Sequence, residues 1–151
     1  MNEWLEKRAL KDQELGVSCT YVLVDDGGEM VVGYFTLLPT VVREAESASL
    51  WKRLKPSGQF LAKEVYGVLI GKLALDESLQ GQGLSLDLVG DAIYMAIEAM
   101  RIIGGVYIVI EPMDNEAWLR NLYEGYGFRT VEGTDRMYMS IQEFCEGGVP
   151  I

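Results

Sequence analysis

The stretch Leu73-Ala74-Leu75-Asp76-Glu77-Ser78-Leu79-Gln80-Gly81-Gln82-Gly83-Leu84-Ser85 decides the fold. An apolar run ends at Asp76, a loop bearing two glycines follows, and an amphipathic segment begins at Leu84. This is a buried strand passing through a tight loop into a helix. The first backbone N–H groups of a helix lack carbonyl partners within it and carry partial positive charge. Two glycines there let phosphate oxygens approach the main chain closely, so the segment reads as a phosphate cradle. No Gly-Lys-Ser/Thr follows, which excludes a Walker loop, and the third glycine of a dinucleotide fingerprint is missing. A plain tight turn accounts for a lone Gly-x-Gly equally well.

Working outward, Val65 to Leu75 and Val106 to Ile110 are near-continuous apolar runs, as strands buried on both faces should be. Between them, Leu84 to Arg101 places Leu86, Val89, Ile93, Ile97 and Met100 at helical spacing, with Asp87, Asp91 and Glu98 on another side. Strand, crossover helix and strand make a right-handed βαβ unit. Upstream, Ser18 to Val24 and Met30 to Leu38 flank Asp25-Asp26-Gly27-Gly28 and predict a hairpin. Asn2 to Leu15 predicts a helix with Leu5 and Ala9 on its apolar side and Gly16 as its stop. The polar stretch Arg43 to Lys55 contains a short helix around Ser47 to Leu54, ended by Pro56-Ser57-Gly58. Downstream, Asp114 is expected to cap a helix ending at Gly125 to Gly127, followed by strands near Phe128 to Val131 and Arg136 to Ile141. No linker or repeat interrupts the chain, so residues 1–151 read as a single α/β domain with a mixed, twisted sheet.

Composition narrows the function. With 151 residues, 49% of them hydrophobic and 24% charged, the chain can bury a full core, which excludes disorder, collagen and disulfide scaffolds. No apolar run approaches the roughly 20 residues of a membrane span, and the first residues form no signal peptide, so a cytoplasmic location is expected. Cys19 and Cys145 lack metal spacing and are expected to be reduced and structural. There is no histidine, which removes every imidazole-based scheme and nearly all catalytic zinc sites, so no metal is expected. The net charge of −10 is unevenly spread. Residues 1–75 hold nine basic and ten acidic side chains, residues 76–151 four and thirteen. The acidic half repels nucleic acid and attracts cations, so a polyanion has access from the first half alone.

Gln80-x-x-Gly83-x-Ser85 resembles the Gln/Arg-x-x-Gly-x-Gly/Ala signature of the GNAT acetyltransferases, with Ser85 in place of the final Gly or Ala. Glu116-Ala117-Trp118-Leu119-Arg120-Asn121-Leu122-Tyr123-Glu124-Gly125-Tyr126-Gly127-Phe128 is similar to that family's aromatic-Tyr-x-x-x-Gly-Phe helix, with Leu122 where Phe is commoner. The resemblance implies a GNAT fold and acetyl-CoA as cosubstrate. It assigns Leu73, Ala74, Leu75, Gln80, Gly81, Gln82, Gly83, Leu84 and Ser85 to acetyl-CoA, and Tyr123 to protonation of the leaving thiolate.

A narrower resemblance runs through Trp4-Leu5-x-Lys7-Arg8-Ala9-Leu10-Lys11-x-Gln13-x-x-Gly16-x-Ser18-x-Thr20, Val32-Gly33-Tyr34, the Lys52-Arg53 segment and Gly71 to Asp76. These resemble the GNAT toxins of bacterial toxin-antitoxin pairs. That implies the amino group of an aminoacyl-tRNA as acceptor, a ribbon-helix-helix antitoxin as partner, and a homodimer as one assembly. The toxins usually carry a further strand before the first helix, so here either the first edge strand is missing or the sequence starts as a fragment of a longer chain. They are also typically basic, which this chain is not. Lys52, Arg53 and Lys55 are the candidate substrate-binding residues, forming a patch with Lys7, Arg8 and Lys11 or else an ordinary solvated face. A small-molecule or peptide amine, or a silent CoA-binding module, are the alternative readings.

The chemistry follows from ordinary acidities. An α-amino group with a pKa near 8 is roughly a tenth neutral at pH 7, whereas less than about a thousandth of a lysine is. A histidine-free site therefore suits an acceptor that loses its proton readily and attacks the thioester directly. The oxyanion then needs a backbone N–H from Leu73 to Leu75. Tyr123 is protonated at neutral pH and suits a general acid, or is a helix tyrosine in the core. Glu111 either orders a water or is a solvated strand end, and Trp118 and Tyr126 fit core packing.

Overall fold

The N-terminal helix starts wide. In the computed structural model, which describes residues 3–56, 62–81 and 83–142, Leu5–Ala9 is a π-helical turn that tightens into α1 (Leu10–Glu14). Gly16, with φ +75°, ends it as expected. The hairpin follows as β1 (Cys19–Val24) and β2 (Val31–Arg43), antiparallel from Cys19 opposite Leu37 to Val24 opposite Val31, with an irregularity after Leu23. Then come α2 (Ala48–Leu54), β3 (Glu64–Leu75), α3 (Leu84–Ile103), β4 (Tyr107–Ile110), α4 (Ala117–Gly125), β5 (Arg129–Thr130) and β6 (Met137–Ser140). The six strands form one sheet in the order β1-β2-β3-β4-β6-β5. Neighbours β3 and β4 are joined through α3, as the βαβ pattern requires. Among the described residues no strand lies outside β1, which forms one edge.

The chain divides into two compact units, Met1–Leu38 with Ile70–Met95, and Pro39–Leu69 with Ala96–Ile151. In the first, Ala9, Tyr34, Phe35, Leu37, Ile70, Leu88, Val89, Ala92 and Ile93 are buried. The Trp4 ring stacks on Tyr34 at 5.9 Å, with the Lys72 ammonium 5.8 Å from the Trp4 ring. In the second unit, Trp51, Leu54, Val65, Tyr107, Val109 and Tyr138 form a core cluster against which Val42, Leu50 and Leu69 pack. The apolar stripe of α3 is shifted from the predicted one. Leu86 is half exposed, while Leu88, Ala92 and Ala96 join Val89, Ile93, Ile97 and Met100 inside.

Gly67 shows how closely β3 and β4 approach. A Cβ there would collide with the Tyr107 carbonyl oxygen and lie 2.8 Å from its ring. Backbone and a fully buried ring have nowhere to yield, so Gly67→Ala is expected to cost about 3 kcal/mol, the upper end of overpacking. Urea unfolding of the two proteins measures it, and equal midpoints would refute the tight approach.

Three local expectations need correction. Asp114 does not cap α4. It lies in a 3₁₀ turn (Met113–Asn115) with φ +52°, and the cap position is held by Glu116 without a side-chain hydrogen bond. The turn after Pro112 consumes the residues a direct cap would need. Trp118 is 47% exposed and so is not a core residue, because the start of α4 turns that face to solvent. Tyr126 is half-buried. Cys19 is an exposed free thiol on the edge strand and not a buried packing residue. Cys145, Gln82, Ser57 and Gly58 lie outside the described residues.

Candidate functional site

The first unit carries the phosphate-cradle candidate, and its geometry begins on β3. Leu73 and Ala74 are half-buried and Leu75 is buried. Just before them, the Lys72 N–H donates to the Thr36 hydroxyl at 2.8 Å. At Gly71 a Cβ would lie 2.9 Å from the Leu38 side chain and 3.1 Å from the Thr36 hydroxyl, which explains the glycine. After Leu75, the Asp76 N–H donates to the Val32 carbonyl at 2.8 Å, fastening the start of the loop to β2. The Asp76 carboxylate accepts from the Ser78 hydroxyl at 2.7 Å and the Ser78 N–H at 3.0 Å. The hydroxyl first, then the N–H, hold its acidity below the usual carboxylate range.

Gly81 and Gly83 both have φ +82°, in the left-handed region that disfavours a side chain. At neither would a Cβ meet any atom within 4 Å. The glycines are therefore demanded by backbone conformation, and the space over them is open. Such a loop leads into the first turn of α3 (Leu84, Ser85), whose N–H groups lack carbonyl partners within the helix, an arrangement suited to a phosphate group. The Gln80 side-chain N–H donates to the Leu75 carbonyl at 3.0 Å and ties the loop back to β3.

The second unit carries Tyr123, at the C-terminal end of α4. Its carbonyl accepts from the Tyr126 N–H at 3.0 Å and the Phe128 N–H at 3.1 Å, and Gly127 with φ +104° turns the chain out of the helix. The ring is 2% exposed, with the Phe128 ring 6.1 Å away and tilted by 60°. Burial penalises the phenolate and pushes the Tyr123 pKa up to about 12. Burial likewise raises Tyr34 and Tyr107. The folded state thus favours the protonated phenols. Their contribution to stability is complete below the unfolded value of about 10 and is lost as pH rises through the folded values. Alkaline unfolding should show stability falling between about pH 10 and 12, and Tyr123→Phe should make that fall shallower. An identical slope in wild type and variant would remove Tyr123 from this linkage.

Lys52 and Arg53 on α2, and Lys55 just after its end, are exposed. They are not equivalent. The Arg53 guanidinium donates to the buried Tyr138 hydroxyl at 2.7 Å, and the Lys55 ammonium lies 5.2 Å from the Trp51 ring centre. In the first unit, Lys7 pairs with Glu3 and Arg8 with Asp12 at 3.2 Å. Glu111 is an exposed strand end whose carboxylate lies 3.6 Å from Arg136.

Sequence reasoning missed Arg120. Its guanidinium donates to the Asn115 side-chain oxygen at 2.6 Å, the Thr130 hydroxyl at 2.6 Å and the Asp135 carbonyl at 3.2 Å. It thereby ties the turn before α4 to β5 and the following hairpin, and no spacing signals that link. Gly67 had a signal, a glycine inside a strand pattern, which marks close backbone approach. Among the described residues there is no group of three His, Cys, Asp or Glu placed to hold a metal ion, and no helix long and apolar enough to cross a membrane.

Comparison with known proteins is consistent across sequence and structure. No family model matches the chain. It is 30% identical over 141 residues to a tRNA-acetylating toxin of Mycobacterium tuberculosis, covering 93% of this chain and 78% of that protein. AtaT complexed with acetyl-methionyl-tRNAfMet superimposes with a TM-score of 0.76 at 22% identity, covering 97% of this chain and 84% of AtaT. AtaTR bound with acetyl-CoA gives 0.75 at 22% identity, over 97% of this chain and 83% of that one. A Tyr-to-Phe mutant of KacT gives 0.75 at 20% identity, over 95% and 82%. The chain shares the fold of these proteins.

Proposed function

The chain belongs to the tRNA-acetylating toxins, acetyltransferases of the GNAT fold, and from that premise we propose that it transfers acetyl from acetyl-CoA to the amino group of an aminoacyl-tRNA. The observation that carries the reading is the 30% identity to such a toxin across 93% of the chain. The left-handed glycines of an open loop agree with it.

In this reading the main chain of Gly81, Gln82, Gly83, Leu84 and Ser85 binds the pyrophosphate, with Gln80 fixing the loop. The end of β3 (Leu73, Ala74, Leu75) supplies a backbone N–H for the oxyanion. Tyr123 holds the proton returned to the leaving thiolate, and its burial keeps that proton in place throughout the physiological range. Lys52, Arg53 and Lys55 contact the acceptor's phosphates. The amine, already partly neutral at pH 7, attacks directly. We assign the whole chain to one acetyltransferase domain, since β2, β3 and α3 each contribute residues to both compact units. AtaT has been seen bound to the C-terminus of the antitoxin AtaR, and an antitoxin of the ribbon-helix-helix type is the proposed partner here. A charged-tRNA acceptor implies action in the cytoplasm.

Mass spectrometry of aminoacyl-tRNA, polyamines and peptides after incubation with acetyl-CoA tests the function. An acetylated aminoacyl group on tRNA is the expected result. The acidic second half of the chain favours the other reading, a cationic small amine. An unmodified tRNA pool beside an acetylated amine would establish that reading instead.

A further inference from the structure

We propose that Lys55 and Lys63, gathered on the Trp51 indole, form a seat for the phosphate backbone of charged tRNA. The inference rests on the aminoacyl-tRNA reading and adds Lys63 to it. Lys63 stands eight residues from Lys55 and immediately before β3, so no helical spacing joins it to α2.

The fold brings the two together through one ring. The Lys55 ammonium lies 5.2 Å from the Trp51 ring centre and the Lys63 ammonium 5.6 Å. They are therefore at most 10.8 Å apart, the sum of the two distances. Trp51 itself is 6% exposed within the core cluster of Leu54, Val65 and Tyr107, so the ring is a fixed platform. An ammonium held over an indole is attracted to its π face and gives up some of the freedom of its long stem. Two cations are thus prepositioned at one place on a chain whose net charge is −10.

The exposure of the pair selects the ligand. The Lys63 side chain is 73% exposed, which leaves its ammonium open to a phosphate arriving from solvent. A small anion needs enclosure, whereas a polyanionic strand is held by successive open contacts. Arg53 reaches the same surface from a different anchor, its guanidinium donating to the Tyr138 hydroxyl at 2.7 Å. One acidic group opposes the seat, since the Glu44 carboxylate lies 3.4 Å from the Lys63 ammonium.

The test is the salt dependence of charged-tRNA binding by the full chain. Lys55→Gln and Lys63→Gln should each lower the slope of log affinity against log salt by about 0.7–0.9, one phosphate contact apiece. Glu44→Gln should act in the opposite direction, tightening binding at low salt about two- to threefold by freeing Lys63. That reversal of sign is what general damage to the fold cannot produce. Stabilisation by acetyl-CoA should be the same in all three variants and the wild type. Unchanged slopes in both lysine variants, with acetylated tRNA still formed, would overturn the seat alone. Absence of acetylated tRNA with the wild-type enzyme would overturn the reading beneath it.

Discussion

Tyr123→Phe is expected to lower acetyl transfer to charged tRNA about a hundredfold or more, the lower end of what a positioned general acid contributes. The substitution removes one oxygen from a ring that is 2% exposed, so the packing against Phe128 remains. Acetyl-CoA should stabilise variant and wild type equally, because the phenol is asked to act only as the thiolate departs. The loss then falls on kcat and leaves binding alone. Single-turnover kinetics with charged tRNA separates the two, and an unchanged rate would reassign Tyr123 to the core.

Gly83→Asp should abolish the stabilisation that acetyl-CoA gives the fold. Ligand at about 100 times its dissociation constant contributes about 2.7 kcal/mol to the wild type. The open space over Gly83 means the new side chain meets no clash, and Asp is among the residues that tolerate a left-handed φ best. Gly83→Asn carries similar backbone strain without the charge, so a larger loss in the Asp variant than in the Asn variant reports negative charge set against phosphate. Thermal unfolding with and without acetyl-CoA measures it, and a full ligand-induced shift in the variant would remove the loop from the site.

Most of the architecture was legible because periodicity reports burial. The runs Val65 to Leu75 and Val106 to Ile110 became β3 and β4, and the segment from Leu84 became α3. Turn chemistry was legible where one residue type solves one backbone problem, as at Gly16 and the two loop glycines. It failed at Asp114, where a cap residue was present but the chain used it in a left-handed turn. Position 118 misled because a large aromatic is read as core by default, and Trp118 is not. The candidate site was legible as motifs, namely the loop and the Tyr123 helix. The pairing of Lys63 with Lys55 was not, since it depends on where β3 begins relative to α2 and on a Trp that reads simply as core.

Arg120 sets the behaviour of the turn before α4 in time as well as in shape. Asp114 and Asn115 are consecutive non-glycine residues at φ +52°, of the two types that enter the left-handed region most readily. The three hydrogen bonds of one guanidinium hold that turn against β5 and its hairpin. The segment is therefore expected to open before α4 does, since one side chain holds it while the buried face of α4 carries Leu119 and Tyr123. In amide hydrogen exchange, Arg120→Lys releases the protons of the turn early and leaves those of α4 as slow as before.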